Sequence, residues 1–493
     1  EARGNPGLFD DFRKGMAKMA RGMNAPEACV RCIEAAISMP FDAGLKFERE
    51  TFTQLVVAAE AQSMQHAFFA EREVAKIPDL PTATPAGEIN SAAVIGCGTM
   101  GGGIAMNFAN VGIPVIVIEN DQAALDGGLI KVQGNYAATV AKGRLSQHAM
   151  DQRLGLITGS TDFKAVADVD IVIEAVFEDM EVKKRIFSKL DQFCKPDAIL
   201  ATNTSTLDVD QIAAMTKRPE NVIGTHFFSP ANVMRLLENV RGAKTSAKTI
   251  ATVMKLSKTI NKVGVLVGVC DGFVGNRMLH QYSREANFLL EEGALPQQVD
   301  RVIYEFGFPM GPFTMGDMAG LDVGWLVRKR KLSKNPNNDR YSSIADRICE
   351  QGRFGQKTGS GWYRYEAGCR TPVADPEIEK LIIQASADAD IERREISDEE
   401  VLKRCLYPLI NEGAKILEEG LAIRASDIDV IWVHGYGFPR YRGGPMFWAD
   451  TIGLDEVYKT MQRYHSEHGE LMRPAPLLER LVKRGKKISE FRV

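Results

Sequence analysis

The feature of this sequence that most constrains its fold is a glycine-rich turn between an apolar run and a helical pattern. The stretch "AAVIGCGTMGGGIA" begins at Ala92, and a second apolar run, "VIVIE", ends at Glu119. A short apolar strand, the pattern G-x-G-x-x-G and a helix, in that order, are typical of the first β-α-β unit of a Rossmann-type domain. The order predicts a dinucleotide site at the carboxyl end of the first strand.

The residues of this turn have separate tasks in such a site. Gly96 allows the tight turn, Gly98 lets the backbone approach a pyrophosphate, and Gly101 lets helix and strand pack closely. Thr99 and Met100 open the helix, whose free N–H groups and dipole favour an anion. The alternative interpretation is a glycine-rich turn without a ligand.

Glu119 indicates which dinucleotide to expect. It lies 18 residues beyond Gly101, where a carboxylate can bind both hydroxyls of a ribose. Asn120 and Asp121 follow it with no arginine beside them, so a 2′-phosphate would be repelled. We therefore expect NAD rather than NADP.

From residue 89 onward, short apolar runs alternate with helical patterns, which predicts a mostly parallel α/β sheet. The six strands expected from these runs are Ala92–Ile95, Val115–Glu119, Ile171–Ala175, Ile199–Thr202, Val222–His226 and Val263–Val267. After about Gly272 the strand signal fades and long helical patterns take over.

The chain before the glycine turn has a different pattern. Residues 1–77 alternate charged and apolar residues at helical spacing, and Leu45–Lys76, which contains no glycine or proline, is expected to be helical. The stretch "IPDLPTATPAGE" then carries three prolines, which is typical of a linker. Because the chain begins with Glu1 and its first residues resemble the middle of a domain, we expect a piece of a longer protein.

Two later stretches resemble each other. Glu285–Asp322 and Glu412–Asp455 both carry LEEG, an aspartate, Gly-Phe-Pro, Gly-Pro and Gly-Leu-Asp in that order, which indicates a duplicated domain. Two helix hairpins that are similar by chance are the alternative. We expect five segments: a helical segment, a linker, a dinucleotide-binding domain, a helical domain and its second copy, at 1–77, 78–88, 89–271, 272–375 and 376–493.

Composition excludes some classes of function. A formal net charge of −3 gives no reason to expect nucleic-acid binding, and no apolar run is long enough to span a membrane. The eight cysteines show no disulfide framework. Cys29 and Cys32 form C-x-x-C without a second pair, and His465 and His468 stand in a charged segment, so no metal site is expected.

Several motifs together resemble one family. The stretches "IGCGTMGGGIA", "EAVFEDMEVKKRIF", "TNTSTLDV", "GTHFFSPANVMRLLENV" and "DGFVGNRML" resemble the (S)-3-hydroxyacyl-CoA dehydrogenases of fatty-acid β-oxidation. "HFFSPA", "GRFGQKTGSGWY" and the duplication are closer to the dehydrogenase half of the bifunctional enoyl-CoA hydratase/3-hydroxyacyl-CoA dehydrogenases. The resemblance implies a Rossmann-type domain and then duplicated all-α dehydrogenase domains. It also implies that residues 1–77 are the tail of a crotonase-type hydratase whose core is missing here.

His226 is the candidate general base. It lies at the expected carboxyl end of a strand, where open α/β sheets bind ligands, and histidine titrates near working pH. A lone histidine is more often a packing residue. The resemblance implies that Glu238 pairs with His226, which would fix the tautomer and stabilise the imidazolium. On spacing alone, Glu238 would be taken for an exposed helix residue.

The resemblance supplies the other candidates. It implies that Ser205 hydrogen-bonds the substrate oxygen and that Asn276 helps hold the thioester side. From spacing alone, Ser205 is a turn or N-cap residue and Asn276 a residue at a helix start. The further cofactor-binding positions that the resemblance implies are Glu178, Lys183, Asn203 and Ser229. Single-function relatives usually have asparagine where this chain has Ser229.

The leading hypothesis is the NAD-dependent oxidation of an (S)-3-hydroxyacyl-CoA to a 3-oxoacyl-CoA. Three alternatives stay open. The whole protein could serve enoyl-CoA hydration, the chain could be a non-catalytic NAD-binding scaffold, or it could oxidise a small free hydroxy acid, a reaction that typically uses a lysine base.

Assembly and location complete the expectations. Single-function relatives dimerise through their helical domain, so the duplication implies a monomer in which the second copy covers the first. The chain ends in Phe491, Arg492 and Val493, which is not a peroxisomal signal. We therefore expect a bacterial cytoplasmic protein.

Overall fold

A computed structural model describes Asn5 and residues 7–81, 83–334 and 340–492. The chain forms two compact units, each assembled from separate stretches. The helical unit comprises Glu1–Ala67, Met278–Ala414 and Gly437–Ile488, and the sheet unit comprises Phe68–Arg277, Lys415–Tyr436 and Ser489–Val493. Thr82 in the expected linker and Val493 at the expected end signal lie outside the described residues.

The sheet unit is built on one eight-stranded sheet. Its strands are β1 Ala92–Ile95, β2 Val115–Ile118, β3 Ile157–Ser160, β4 Ile171–Glu174, β5 Ile199–Thr202, β6 Val222–Phe227, β7 Leu236–Arg241 and β8 Val263–Gly268. Their order in the sheet is β3-β2-β1-β4-β5-β6-β7-β8. All neighbours are parallel except β6 and β7. The first six strands therefore place their carboxyl ends along one edge.

Six of these strands were expected from the apolar runs, with bounds that differ by one residue at most. Two were missed, for different physical reasons. Strand β3 is a partly exposed edge strand with the sequence ITGS, so it has no apolar run. Strand β7 is buried up to its last residue, but its apolar run is interrupted by Glu238 and Asn239.

Twenty-one α-helices are described. They are α1 Leu8–Met16, α2 Ala25–Ser38, α3 Phe41–Val56, α4 Ala59–Glu73, α5 Thr99–Ala109, α6 Gln122–Ala141, α7 Gln147–Leu154, α8 Met180–Phe193, α9 Val209–Ala213, α10 Ala247–Thr259, α11 Gly275–Glu292, α12 Pro296–Phe306, α13 Pro312–Ala319, α14 Leu321–Lys334, α15 Ile344–Glu350, α16 Pro376–Asp388, α17 Asp398–Glu418, α18 Ala425–Gly435, α19 Pro445–Ile452, α20 Leu454–His468 and α21 Pro476–Lys483. None of them has the length and apolar character needed to cross a membrane.

The core of the sheet unit explains why the first β-α-β unit forms. Every residue of β1 is buried, and Val94 belongs to the same buried apolar cluster as Ile104 and Phe108 of α5 and Val117 of β2. A strand that is buried on both faces has a nearly continuous apolar sequence, as β1 does. This packing fixes the glycine turn at the carboxyl end of β1.

The duplicated stretches share their local geometry. Helices α13 and α19 each begin with proline after a glycine, and each ends at a glycine of left-handed φ. The φ and ψ angles are 96° and 116° at Gly320, and 94° and 123° at Gly453. Because only glycine adopts this conformation readily, both stretches use the same sequence to end the same helix, which favours duplication over chance.

Candidate active site

The glycine turn leaves room for a ligand on one side only. Gly96 has a φ of 101°, and a β-carbon at Gly101 would lie 1.9 Å from the carbonyl oxygen of Gly96. A β-carbon at Gly98 would meet no atom within 4 Å. The N-cap of α5 is Gly98, which has no side chain to cap the first turn, where Thr99 and Met100 lie. The turn therefore fits a pyrophosphate held by backbone N–H groups.

Glu119 lies directly after β2 and faces this turn. Its Oε2 accepts a hydrogen bond from the backbone N–H of Cys97 at 2.9 Å, and its Oε1 accepts one from the N–H of Asn120 at 2.7 Å. These bonds orient a half-buried carboxylate beside the glycine turn. The residues present thus fit the adenosine ribose of a dinucleotide.

His226 and Glu238 lie directly opposite each other on the antiparallel strands β6 and β7. The distance between His226 Nδ1 and Glu238 Oε2 is 2.7 Å, and Glu238 is fully buried. The other oxygen, Oε1, accepts a hydrogen bond from the N–H of Gly275 at 3.0 Å. Since the carboxylate can only accept, Nδ1 carries the proton, and Nε2 is the basic nitrogen of neutral His226.

Two aromatic rings hold the imidazole. The ring centroids of Phe228 and Phe273 lie 4.4 Å and 5.8 Å from that of His226. Among the described residues, none donates to or accepts from His226 Nε2. The imidazole is thus fixed through one nitrogen and by packing, which leaves the other nitrogen for a substrate.

Ser205 lies in the loop between β5 and α9, not at the N-cap of α9, which is Asp208. Glu178 Oε1 accepts hydrogen bonds from Thr204 Oγ1 at 2.7 Å, from the N–H of Ser205 at 2.7 Å and from Ser205 Oγ at 3.0 Å. Burial alone would raise the pKa of Glu178. The Lys183 charge and these hydrogen bonds outweigh burial and lower the pKa below its usual value, so the loop is held by a carboxylate.

Lys183 is fully buried, as is Glu174 at the end of β4. Lys183 Nζ donates to Glu174 Oε1 at 2.7 Å, to Glu174 Oε2 at 2.9 Å and to the carbonyl oxygen of Asn203 at 3.1 Å. Asn203 Oδ1 in turn accepts from the N–H of Phe227, next to His226, at 3.0 Å. Lys183 and Asn203 therefore link β4, β5 and β6 at their carboxyl ends.

Asn276 lies in the first turn of α11 and joins the same group. Its Nδ2 donates to the carbonyl oxygen of Ser205 at 3.4 Å, and its Oδ1 accepts from the hydroxyl of Tyr436 at 2.8 Å. The structure thus brings Ser205, His226, Glu238 and Asn276 to one edge of the sheet.

Ser229 is exposed and follows Phe228, the residue whose ring packs on His226. No hydrogen bond joins its hydroxyl to another described residue. The segment after it is held by the buried Lys262, whose Nζ donates to the carbonyl oxygens of Ala231 at 2.6 Å and Met234 at 2.7 Å. Burial lowers the pKa of Lys262 to about 8. The backbone after Ser229 is therefore fixed, while the Ser229 side chain faces outward.

Sequence reasoning missed Glu174 and Tyr436. A signal existed for Glu174, because it ends an apolar run of the sequence, as Glu119 does. No local signal existed for Tyr436, which is 160 residues from its partner Asn276. Across the described residues, no group of three or more His, Cys, Asp or Glu side chains could hold a metal ion.

A sheet with a dinucleotide turn after β1, and a histidine paired with a carboxylate at the end of β6, defines an NAD-dependent dehydrogenase. Residues 91–270 match the NAD-binding domain of 3-hydroxyacyl-CoA dehydrogenase, and 272–365 and 401–490 match its C-terminal domain. The chain belongs to the 3-hydroxyacyl-CoA dehydrogenase family. The expected fold class, the NAD cofactor and an acyl-CoA substrate are thereby confirmed; the crotonase-type tail is not.

Known proteins show the same relationship. The chain is 45% identical over 507 residues to the peroxisomal bifunctional enzyme of Cavia porcellus, covering 97% of this chain and 69% of that protein. The 3-hydroxybutyryl-CoA dehydrogenase of Escherichia coli K12 is 27% identical with a TM-score of 0.70, covering 81% and 99%. The dehydrogenase part of multifunctional enzyme 1 from C. elegans is 34% identical with a TM-score of 0.63, covering 84% and 96%. The expected dehydrogenase function in fatty-acid β-oxidation is therefore confirmed.

The expectation of a bacterial cytoplasmic protein is wrong. Relatives in animals and plants are named peroxisomal or glyoxysomal enzymes, which points against a bacterial cytoplasmic location. The expectation depended on the last three residues of the sequence, a much weaker signal than 45% identity over nearly the whole chain.

Proposed function

We propose that His226 is the general base of this dehydrogenase and that Glu238 orients it. Nε2 of His226 takes the proton of the substrate's 3-hydroxyl group. NAD, when bound, supplies the acceptor for the hydride that leaves carbon 3. The observation that carries this proposal is the 2.7 Å pairing of Nδ1 with buried Glu238, because it leaves Nε2 as the basic nitrogen and stabilises the imidazolium that forms.

The neighbouring polar groups have distinct proposed roles. Asn276 is a neutral donor that steadies the thioester side without neutralising the base. Ser205 donates its hydroxyl proton to Glu178 in the structure, so its role requires that the hydroxyl turns from Glu178 to the substrate oxygen when substrate binds. Gly96, Gly98 and Gly101 hold the pyrophosphate. The carboxylates of Glu119 and Glu178 face the two ribose moieties.

We assign Lys183 and Asn203 to holding the loop that carries Ser205. The ammonium of Lys183 donates its hydrogen bonds to Glu174 and to the carbonyl oxygen of Asn203. Oδ1 of Asn203 accepts from the backbone N–H of Phe227, next to His226. Ser229, whose side chain faces outward, is the remaining candidate for the nicotinamide amide.

The test is NADH formation from NAD and 3-hydroxybutyryl-CoA by the parent and by His226→Gln. Glutamine cannot accept the proton, so kcat falls by about 10²- to 10⁴-fold, while NAD binding by calorimetry stays unchanged. Free 3-hydroxybutyrate is the comparison substrate and reacts poorly, because it lacks the CoA moiety. An inactive parent that still binds NAD would favour the scaffold alternative, and equal rates for parent and variant would remove His226 as the base.

The hydratase half of the resemblance stays a prediction about a longer protein. We expect no hydration of an enoyl-CoA by this chain. Hydration would be measured as a loss of the absorbance of the carbon–carbon double bond that is conjugated with the thioester. Hydration by the purified chain would show that residues 1–77 are more than a tail.

We also propose that the chain is a monomer whose two similar stretches meet within the helical unit. The ring centroids of Phe308 and Phe438, each in a Gly-Phe-Pro sequence, lie 5.4 Å apart. Phe306 packs on Phe438 at 5.6 Å and on Trp448 at 4.9 Å. The contact between equivalent sequences supports an internal pair in place of a dimer.

A further inference from the structure

Tyr436 is a residue of the sheet unit to which the known reaction gives no role. It lies directly after α18 and belongs to Glu412–Asp455, the second of the two similar stretches. Its hydroxyl donates to Oδ1 of Asn276 at 2.8 Å. Tyr436 thus contacts Asn276, one of the polar residues brought together with His226, although the two are 160 residues apart in the chain.

The ring of Tyr436 is held on three sides. It stacks on Trp432 with centroids 4.6 Å apart and meets the edge of Phe228 at 5.5 Å. Its third neighbour is Gly275, where a β-carbon would lie 2.5 Å from the ring. Phe228 itself packs on His226. This packing gives the hydroxyl one position, so the bond to Asn276 does not depend on a mobile side chain.

Two hydrogen bonds together decide how the amide of Asn276 is turned. The carbonyl oxygen of Ser205 can only accept, so Nδ2 must face it, and Oδ1 must face the Tyr436 hydroxyl. Burial, reinforced by the charge of Glu238, raises the pKa of Tyr436 well above its usual value. The hydroxyl therefore stays a donor, and the second N–H of Nδ2 is left for the substrate.

We propose that Tyr436 is a positioning residue of the dehydrogenase reaction, which fixes the Asn276 amide so that its N–H meets the substrate. The inference depends on the proposed role of Asn276. The second similar stretch, Glu412–Asp455, then contributes a positioning residue to the site of the sheet unit as well as packing contacts.

The test compares Tyr436→Phe with Tyr136→Phe. Tyr136 is a buried tyrosine of the same unit whose hydroxyl donates to Oδ1 of Asn110 at 3.0 Å, so both variants lose a hydrogen bond from a tyrosine hydroxyl to an asparagine oxygen. We expect kcat/KM for 3-hydroxybutyryl-CoA to fall about three- to tenfold in Tyr436→Phe and to stay unchanged in Tyr136→Phe. KM for NAD stays unchanged in both variants, which a general loosening of the fold would not allow.

A double-mutant cycle with Asn276→Ala shows whether Tyr436 acts through the amide. In the Asn276→Ala background, Tyr436→Phe should cost less than about twofold in kcat/KM. Equal activity of Tyr436→Phe and Tyr136→Phe overturns the inference, as does an undiminished effect in the Asn276→Ala background. An inactive parent would instead refute the proposed function itself, so the two failures are distinguishable.

Discussion

At the residue scale, the buried ion pair of Lys183 and Glu174 is the feature of the site that depends most on having both partners present. Both side chains are fully buried, and Thr202 Oγ1 and the N–H of Val176 also donate to the Glu174 carboxylate. A buried charge is costly unless it is paired and hydrogen-bonded. The pair therefore fixes the carboxyl ends of β4 and β5 only while both partners are present.

Lys183→Met leaves the Glu174 carboxylate buried without a cation. We expect the free energy of unfolding to fall by about 3–5 kcal/mol, measured by urea denaturation. Glu174→Gln in the same chain removes the charge but keeps an acceptor for Thr202, so the double variant should recover most of the loss. A double variant no more stable than Lys183→Met would show that packing, not charge, holds this corner.

Sequence alone could indicate those site residues that stand in a local pattern. The glycine turn, Glu119 and His226 each follow or end an apolar run, and the structure places all three at the carboxyl edge of the sheet. Glu238 could not be placed this way, because a fully buried carboxylate interrupts the apolar pattern from which a strand is recognised. Tyr436 could not be found at all, since its role depends on a contact between distant parts of the chain.

At the scale of elements, the glycine turn and α5 offer a matched pair of substitutions. Gly98 has a φ of −71° and open space where a β-carbon would stand, whereas a β-carbon at Gly101 would collide with the Gly96 carbonyl. Gly98→Ala should keep the parent's Tm but weaken NAD binding by roughly tenfold or more. Gly101→Ala should lower Tm as well, because α5 must move away from β1.

The measurements are thermal unfolding without NAD and calorimetric titration with NAD. Gly134→Ala is the control, since Gly134 lies within α6 and a β-carbon there meets no atom within 4 Å. Unchanged NAD affinity in Gly98→Ala would mean that the pyrophosphate does not pass over this glycine.

Elements were predictable where burial is uniform. Five of the six strands recognised from the sequence are nearly continuous apolar runs, as is usual for strands covered on both faces. The sixth, β6, is buried throughout although Thr225 and His226 interrupt its apolar residues. Leu45–Lys76 was expected to be helical throughout, but the structure has α3 and α4 with a break at Val57 and Ala58. Neither glycine nor proline marks this break, so periodicity alone could not reveal it.

At the scale of the whole molecule, the duplication determines which surfaces the helical unit covers internally. Gly307 and Gly437, which open the two Gly-Phe-Pro sequences, have φ values of 132° and 74°. A β-carbon at Gly307 would collide with Tyr441 and Pro439 of the second stretch. The two stretches are thus in close contact at equivalent positions. An aromatic surface that is covered within the chain is not available to a second chain.

The monomer prediction follows from that contact. Light scattering of the parent should give the mass of one chain when the protein concentration is varied about a hundredfold. A dimer would need the aromatic surface that the two similar stretches already cover within the chain. Phe438→Ala removes a buried ring from the contact and should cost about 3–5 kcal/mol of stability. Phe41→Ala, the same change at an exposed position, should cost little. A parent with the mass of two chains at the lowest concentration, or a Phe438→Ala variant as stable as Phe41→Ala, would contradict the internal pairing.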